Sequence, residues 1–179
     1  INELTTIVGD YIYGYEKEEL NQIVGDLLLA NSNTLSTAES CTGGYIAHLI
    51  TSVPGSSAYF KGSIVAYSNE TKSAHLAVKK TDINRSGAVS KEVVEQMAIG
   101  AIAELETDYS IASSGILGPD GGSNEKPVGT IWIAVASNSG VISEKMQLGG
   151  SRSRNTQITA LTSLNMLRKY ILSHKKNSL

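Results

Sequence analysis

The segment TAESCTGG at residues 37–44 constrains the fold more than any other part of the chain. It indicates a short strand, Leu35–Ala38, that ends in a sharp turn and leads through two glycines into a helix, Gly43–Ser52. A strand that runs directly into a helix is typical of a βαβ unit, in which the helix covers a parallel sheet. The segment therefore predicts an α/β fold and places Ser40 at the carboxyl end of a strand, where open α/β sheets bind ligands.

The other apolar patterns alternate between helices and strands along the chain. Apolar residues at helical spacing predict helices, and short apolar runs predict strands. In chain order these are helix Glu16–Ala30, strand Lys61–Ser68, helix Asn69–Leu76, helix Lys91–Leu105, strand Tyr109–Ser113, strands Val128–Ser137 and Val141–Leu148, and a final helix from about Arg154 to Leu172. Ser90 is the predicted N-cap of the helix at 91–105, and Asn138-Ser139-Gly140 indicates a hairpin. This order predicts a three-layer αβα sandwich around a mixed, mostly parallel central sheet.

Length and composition fit one cytoplasmic domain. The 179 residues suffice for a single core, and the formal net charge of −2 argues against duplex nucleic acid or an anionic membrane as a partner. The lone cysteine, Cys41, cannot form an internal disulfide, which is typical of a reducing compartment, and no apolar run reaches the ~20 residues of a membrane span. We expect residues 1–15 to be a tail or linker and residues 16–179 to be the domain. A chain that begins at Ile1 without a methionine also suggests a piece of a longer protein.

Ser40 is the first candidate for chemistry. A serine at a sharp turn can attack a substrate carbonyl, and the N–H groups of Thr42, Gly43 and Gly44 at the helix start can hold the negative charge that develops. The alternative is that Ser40 or Thr42 only caps the helix. Cys41 is a rival nucleophile, which we rank lower because a lone cysteine is more often inert packing.

The segment VAYSNETK at residues 65–72 supplies a candidate base. Tyr67 ends a strand, and Lys72 falls in the first turns of the next helix. The positive end of the helix macrodipole opposes the ammonium charge of Lys72 and favours the neutral amine, which can accept a proton. The alternative is that Lys72 is a solvated helix lysine and Tyr67 an aromatic residue at the sheet edge.

Two glycine-rich segments are candidates for substrate binding. The long loop at 115–126 permits positive φ angles and a close approach of the backbone to a ligand. The segment GGSRSRN at 149–155 precedes the last helix, and its arginines are either a clamp for a phosphate or solvated charges. The candidate binding residues are Gly115, Gly118, Gly121, Arg152 and Arg154. The histidines lack metal-ligand spacing, so we expect no metal site.

Taken together, these motifs resemble the CinA C-terminal domain and the stand-alone nicotinamide-nucleotide amidases of the PncC type. The resemblance extends from Ala30 to Leu172, and its matching stretches are TAESCTGG (37–44), PGSSAYFKGSIVAYSNETK (54–72), GAVS (87–90), SGILGPDGGSNEKPVGTIW (114–132) and GSRSRN (150–155). It implies hydrolysis of nicotinamide mononucleotide to nicotinic acid mononucleotide and ammonia, without a metal or cofactor. It also implies Ser40, Tyr67 and Lys72 as the catalytic residues.

The same resemblance bears on partners. Full-length proteins of this kind carry a separate nucleotide-processing domain before this one, so it implies a preceding domain that this chain lacks. The substrate is then a small nucleotide rather than a nucleic acid or a membrane. We also expect a homodimer or a higher homo-oligomer.

The expected mechanism begins with a neutral Lys72 that takes the Ser40 hydroxyl proton, directly or through Tyr67. Ser40 then attacks the carboxamide, ammonia leaves, and water hydrolyses the acyl-enzyme. Two other functions remain open at this point: a non-catalytic nucleotide-binding module that regulates its partner domain, and an assembly domain for oligomerisation. Only an enzyme requires Ser40, Tyr67 and Lys72 to lie within hydrogen-bond reach of one another.

Overall fold

A five-stranded sheet forms the centre of the molecule, of which the computed structural model describes residues 19–176, with side chains for residues 19–174. The strands are β1 (Leu35–Glu39), β2 (Phe60–Val65), β3 (Tyr109–Gly115), β4 (Thr130–Ser137) and β5 (Gly140–Gln147). They lie in the order β2-β1-β3-β4-β5. β1 is parallel to both β2 and β3, whereas β4 is antiparallel to both β3 and β5, so four of the described strands share one direction. The predicted mixed sheet and its hairpin are confirmed.

Helices cover both faces of this sheet. They are α1 (Leu20–Ala30), α2 (Tyr45–Thr51), α3 (Asn69–His75), α4 (Lys80–Ser86), α5 (Lys91–Leu105) and α6 (Arg152–Lys176), with a single 3₁₀ turn at Ser56–Ala58. On one face α6 packs against α1, α2, β3 and β4, and on the other face α5 packs across the sheet with α3 and α4 beside it. The predicted three-layer αβα sandwich is confirmed.

The core is divided between the two faces by the alternation of strand side chains. Ile111 of β3 and Val135 of β4 pack into the cluster beneath α1, α2 and α6. The neighbouring Ala112 and Ala134 pack into the cluster beneath α5, around Met97. Since successive strand residues point to opposite faces, the alanines form a shallow surface on which α5 lies close to the sheet.

Several predicted boundaries change by a few residues. Of the helix predicted at 16–30, the described part begins at Leu20, and residues 16–18, like the predicted tail at 1–15, lie outside the described residues. Ser90 does occupy the N-cap position of α5, but its hydroxyl donates to Gly87 O at 2.9 Å instead of capping the helix. The helix α4 was not predicted, because Ile83 is its one buried residue and gives no apolar period.

The topology opens a crevice at the carboxyl end of β1. The chain leaves β1 through α2 to reach β2 on one side, then returns through α3, α4 and α5 to β3 on the other side. Connections that diverge in this way from a central strand leave a space at its carboxyl end, where α/β proteins bind ligands. Within residues 19–176 no helix combines the length and the apolar character needed to cross a membrane.

Candidate active site

A tight turn presents Ser40 directly after β1. The Ser40 amide donates to Ser113 O at 3.0 Å and so continues the pairing of β1 with β3, after which the chain turns and the Gly43 amide donates to Ser40 O at 3.2 Å. Gly43 and Gly44 have φ angles of 61° and 98°, in the left-handed region that glycine adopts without strain. The two glycines therefore reverse the chain into α2 and leave the Ser40 side chain at the rim of the crevice.

Lys72 reaches the same point from α3. Ser68 caps this helix, its hydroxyl accepting from the Thr71 amide at 3.1 Å, and Lys72 follows in the first turns. The Lys72 side chain is only 1% exposed, and its Nζ lies 2.9 Å from Ser40 Oγ and donates to Ala66 O at 2.8 Å. The structure therefore brings the predicted nucleophile and the predicted base into direct hydrogen-bond contact, without a relay between them.

Burial dominates the protonation of Lys72. Removal of the amine from water lowers the pKa of Lys72 below its ordinary value of 10.5, and this effect outweighs those of Cys41 and the Glu70 carboxylate, which raise the pKa. Neither ion pair in the described part of the chain involves Lys72. A lysine that is buried beside a hydroxyl and has no acidic partner is suited to act as a base.

Cys41 is adjacent to Ser40 in sequence, and its thiol is the alternative nucleophile. Burial raises the pKa of the Cys41 thiol to about 12. The thiol therefore stays protonated near neutral pH, and a protonated thiol is a poor nucleophile. This supports the ranking of Ser40 above Cys41.

Tyr67 stands at the mouth of the crevice. Its side chain is 65% exposed, and its hydroxyl accepts from Arg152 Nη2 at 3.1 Å. Among residues 19–174 no hydrogen bond joins Tyr67 to Ser40 or to Lys72, so the route of the proton through Tyr67 finds no support in the geometry. The role of Tyr67 as a catalytic residue stays a prediction.

The two arginines predicted to bind the substrate differ in their position relative to the pocket. Arg152 lines the pocket, and its Nη1 donates to Gly118 O at 2.9 Å, which connects the start of α6 to the glycine-rich loop and, through Tyr67, to the end of β2. Arg154 is exposed and lies outside the pocket lining. Of the two arginines, only Arg152 is therefore placed to contact a bound molecule.

A pocket of about 290 Å³ lies beside Ser40, close to the lower limit of roughly 300 Å³ for small-molecule sites. Of the predicted binding glycines, Gly115 and Gly121 line it, and Gly118 borders it through Arg152. Lining residues that the sequence did not single out include Asn69 and Asp120. The full lining is Ser40, Cys41, Tyr67, Asn69, Lys72, Ala88, Val89, Ser114, Gly115, Ile116, Leu117, Asp120, Gly121 and Arg152.

The helix start behind Ser40 is already occupied by a carboxylate. The side chain of Glu39, which is fully buried, accepts from the amides of Gly44 and Ile46 at 3.0 Å. The Gly43 amide is bonded within the turn, so neither predicted glycine amide is available to an oxyanion. Among the described residues no oxygen atom accepts from the amides of Cys41 and Thr42, and of these two residues Cys41 lines the pocket. In the sequence, Glu39 stands out only as an acidic residue at the end of a short predicted strand.

The described residues contain no group of three or more His, Cys, Asp or Glu side chains arranged to hold a metal ion. The polar groups around the pocket instead bond to the backbone. Ser114 Oγ donates to Ala88 O at 2.8 Å, and Lys126 of the glycine-rich loop donates to Ser86 O at the end of α4. These bonds hold the loop against the segment between α4 and α5.

Comparison with known proteins identifies relatives of the whole described domain. The family model of the CinA C-terminal domain matches residues 17–171. A CinA-like protein from Cytophaga hutchinsonii is 45% identical over 171 residues, which are 96% of this chain and 41% of that protein. A CinA-like protein from Fervidobacterium nodosum is 44% identical over 172 residues, which are 96% of this chain and 42% of that protein. The chain thus spans about two-fifths of the length of the curated relatives it matches.

Solved structures agree with this. The competence/damage inducible protein CihA from Agrobacterium tumefaciens superimposes with a TM-score of 0.83 at 36% identity, covering 88% of this chain and 97% of that one. A CinA superfamily protein from Klebsiella pneumoniae gives a TM-score of 0.84 at 28% identity, covering 89% and 99%.

The fold and the site together define a three-layer α/β domain in which a serine at the end of the central strand meets a buried lysine. The chain belongs to the CinA C-terminal domain family. The family suggested by the sequence motifs is confirmed.

Proposed function

We propose that this domain is a nicotinamide-nucleotide amidase, which hydrolyses nicotinamide mononucleotide to nicotinic acid mononucleotide and ammonia. The observation that carries the proposal is the contact of 2.9 Å between Lys72 Nζ and Ser40 Oγ. Since burial lowers the pKa of Lys72, more of its amine is neutral at a given pH and able to accept the serine proton. The substrate class rests on the resemblance of the motifs to the amidases.

The proposed reaction uses Lys72 as both base and acid. Ser40 Oγ attacks the carboxamide carbon while its proton passes to Lys72, and the carbonyl oxygen becomes an oxyanion. The amides of Cys41 and Thr42, which donate to no oxygen in the described part of the chain, are the proposed oxyanion donors, and such donors contribute about 3–4 kcal/mol in comparable sites. The protonated Lys72 then gives its proton to the leaving nitrogen, and ammonia departs from an acyl-enzyme. Water then loses a proton to Lys72 and attacks the acyl carbon, the bond from that carbon to Ser40 Oγ breaks, Lys72 returns the proton to Ser40 Oγ, and the acid product leaves as its carboxylate.

The electron-poor pyridinium ring of the substrate favours this chemistry. A ring that withdraws electrons makes the attached carboxamide a better electrophile than an ordinary amide, so a single nucleophile and base can suffice. The phosphate at the other end of the substrate needs a local positive charge, because the net charge of the chain is −2. Arg152, at the mouth of the pocket, is the candidate that the geometry favours.

A non-catalytic nucleotide-binding module is the second candidate. One observation favours it. An enzyme was expected to have the Tyr67 hydroxyl within hydrogen-bond reach of Ser40 and Lys72, but this hydroxyl accepts a hydrogen bond from Arg152 instead. A module of this kind would bind the nucleotide in the same pocket and release no ammonia. Its partner would be the preceding domain that the sequence led us to expect.

Release of ammonia from nicotinamide mononucleotide by the purified protein separates the two candidates. We expect turnover by the wild type, and at least a hundredfold loss in Ser40→Ala, because the proposed nucleophile is removed while the backbone bonds that hold the turn stay in place. Cys41→Ala is the matched control and should keep most of the activity, since the buried thiol is protonated. Binding of the nucleotide without any release of ammonia would contradict the amidase and support the binding module.

A further inference from the structure

Glu39 is the last residue of β1 and directly precedes the candidate nucleophile. Its side chain is 0% exposed, and in the described part of the chain no basic side chain forms an ion pair with it. The carboxylate is instead satisfied by five hydrogen bonds. Oε2 accepts from Thr42 Oγ1 at 2.6 Å and from the Gly44 and Ile46 amides at 3.0 Å, while Oε1 accepts from the Ala47 amide at 2.8 Å and Thr37 Oγ1 at 3.4 Å.

These bonds replace an ordinary helix cap. The N-cap residue of α2 is Gly44, which has no side chain to offer, and the first amides of a helix need acceptors. Glu39 supplies the acceptors from the strand, across the turn, and its negative charge lies at the positive end of the α2 dipole. The carboxylate therefore joins the end of β1 to the start of α2 and encloses the turn at 40–43 that carries Ser40.

A second set of contacts fixes the same turn to β3. Thr42 Oγ1, which donates to Glu39, lies 2.7 Å from Ser113 Oγ, and the Ser40 amide donates to Ser113 O at 3.0 Å. All of these groups are buried. The turn is thus held from both sides, and the contact between Ser40 and Lys72 depends on where the turn is held.

We infer that Glu39 is a positioning residue for Ser40. Its carboxylate fixes the turn at 40–43 so that Ser40 Oγ lies against Lys72, and it takes up the α2 amides so that the oxyanion is left to the amides of Cys41 and Thr42. The inference rests on the proposed role of Ser40 as nucleophile, but not on the identity of the amide that the domain hydrolyses. If the Glu39 carboxylate served only to cap α2, its removal would leave the reactivity of Ser40 unchanged.

The test measures the reactivity of Ser40 directly, with a fluorophosphonate as the probe. Ser40 Oγ forms a bond to phosphorus, the phosphorus–fluorine bond breaks, fluoride leaves, and the hydroxyl proton passes to Lys72. The rate constant of inactivation at saturating probe reports the position of Ser40, and the concentration for half-maximal rate reports binding. We expect Glu39→Gln to lower the rate constant at least tenfold and to change the half-saturating concentration less than twofold, because one amide group cannot satisfy all five donors.

Asp108→Asn is the matched control. Asp108 Oδ2 accepts from Thr34 N and Thr34 Oγ1 at 2.7 Å, at the amino ends of β1 and β3, so this variant removes a comparable carboxylate at the far end of the same strands. Both variants are assayed below their melting temperatures. We expect Asp108→Asn to react within twofold of the wild type. An equal loss of rate in both variants, or no loss in Glu39→Gln, would overturn the inference.

Three further outcomes keep the test decisive. If Glu39→Gln does not fold, Thr42→Val replaces it: this variant removes the hydroxyl that donates to Glu39 and joins it to Ser113, so an unchanged rate constant would overturn the inference. A wild type that reacts with the probe but releases no ammonia would contradict the proposed substrate and leave the inference on Glu39 standing. An unreactive wild-type Ser40 would overturn both.

Discussion

Lys72 is held in surroundings that oppose its charge. Its two hydrogen-bond partners, Ser40 Oγ and Ala66 O, are neutral, and its side chain is almost completely removed from water. An ammonium group that is buried without an anion has a lower pKa than in water. The pKa of Lys72 is accordingly below its ordinary value of 10.5, and the neutral amine becomes available at a lower pH than for a solvated lysine.

This state of Lys72 predicts how the rate depends on pH. Because the neutral amine is the base, kcat/KM should rise with pH, and it should level off above the lowered pKa, below pH 10.5. On this plateau Lys72→Met should lose about a hundredfold or more in rate, since general base catalysis contributes about 10²–10⁴-fold, and the loss should shrink at lower pH as the wild-type lysine becomes protonated. Ammonia release between about pH 6 and about pH 10 measures both. A flat profile for the wild type would contradict the role of Lys72 as base.

Arg152 and Arg154 provide a matched pair for the phosphate. Arg152→Gln should raise KM for nicotinamide mononucleotide about ten- to a hundredfold more than KM for nicotinamide riboside, because a charge-assisted contact is worth about 1.5–3 kcal/mol. Arg154→Gln removes the same charge outside the pocket and should change neither. An equal increase for both substrates in Arg152→Gln would assign Arg152 to holding Tyr67 and Gly118 in place.

At the scale of elements, α3 depends on α5 for its position. α3 is a helix of seven residues, too short to be stable without packing, and its C-cap residue Leu76 lies against Gly100 of α5. A Cβ added at Gly100 would lie 2.1 Å from Leu76 O, so glycine is required for this close approach. Lys72, the proposed base, is therefore positioned by α3, which is itself fixed by α5.

Gly100→Ala should lower the free energy of unfolding by about 1–3 kcal/mol, because the crowded backbone has to move. Gly149→Ala is the control, since a Cβ at that position meets no atom within 4 Å. Urea unfolding of the two variants measures the difference. Equal stability of the two would show that α5 can shift from Leu76 without strain.

Most elements of the fold could be predicted because they carry their own apolar period. α5 is of this kind, because one of its faces packs against the sheet, and β4 shows itself as a continuous apolar run because almost all of its residues are buried. α4 could not be predicted because it is polar and is held by its neighbours, with Ile83 as the one buried side chain. The strand expected at 128–137 begins at Thr130, since Gly129 has a φ of 91° and its amide donates to Ile116 O.

The candidate site was predictable to a smaller extent. Ser40 directly follows β1, and Lys72 lies in the helix that follows β2. Because the carboxyl ends of parallel strands meet at one edge of the sheet, the contact between these two residues could be expected. The bond of Tyr67 to Arg152 spans 85 residues of sequence, and no local pattern reports such a contact. Glu39 was missed for a similar reason, because its partners become neighbours only after the turn at 40–43 has formed.

For the whole molecule, the buried lysine couples protonation to global unfolding. Unfolding returns Lys72 to its ordinary pKa of 10.5, so between the lowered pKa and 10.5 the unfolded chain binds more protons than the folded one. The free energy of unfolding should therefore increase with pH in this window, by about 1.4 kcal/mol for each unit of pKa depression. Below the lowered pKa the full destabilisation is present, and above 10.5 it is absent.

The difference in stability between the wild type and Lys72→Met isolates this effect from the other titrating groups. Urea unfolding at several pH values should show the wild type gaining stability relative to the variant as the pH rises from neutral towards about 10. A difference that does not change with pH would mean that the folded protein leaves the pKa of Lys72 at its ordinary value.

The two walls of the pocket are encoded in separate stretches of the chain. Ser40 and Lys72 are 32 residues apart and belong to the run from β1 to α3, whereas the facing wall comes from residues 114–121 and from Arg152. The proposed catalytic pair and most of the facing wall are therefore encoded in separate parts of the sequence. Exchange of the segments at 115–126 and 149–155 between family members would leave the serine–lysine pair untouched, so under the proposed function the substrate preference can change while the serine and the lysine stay the same.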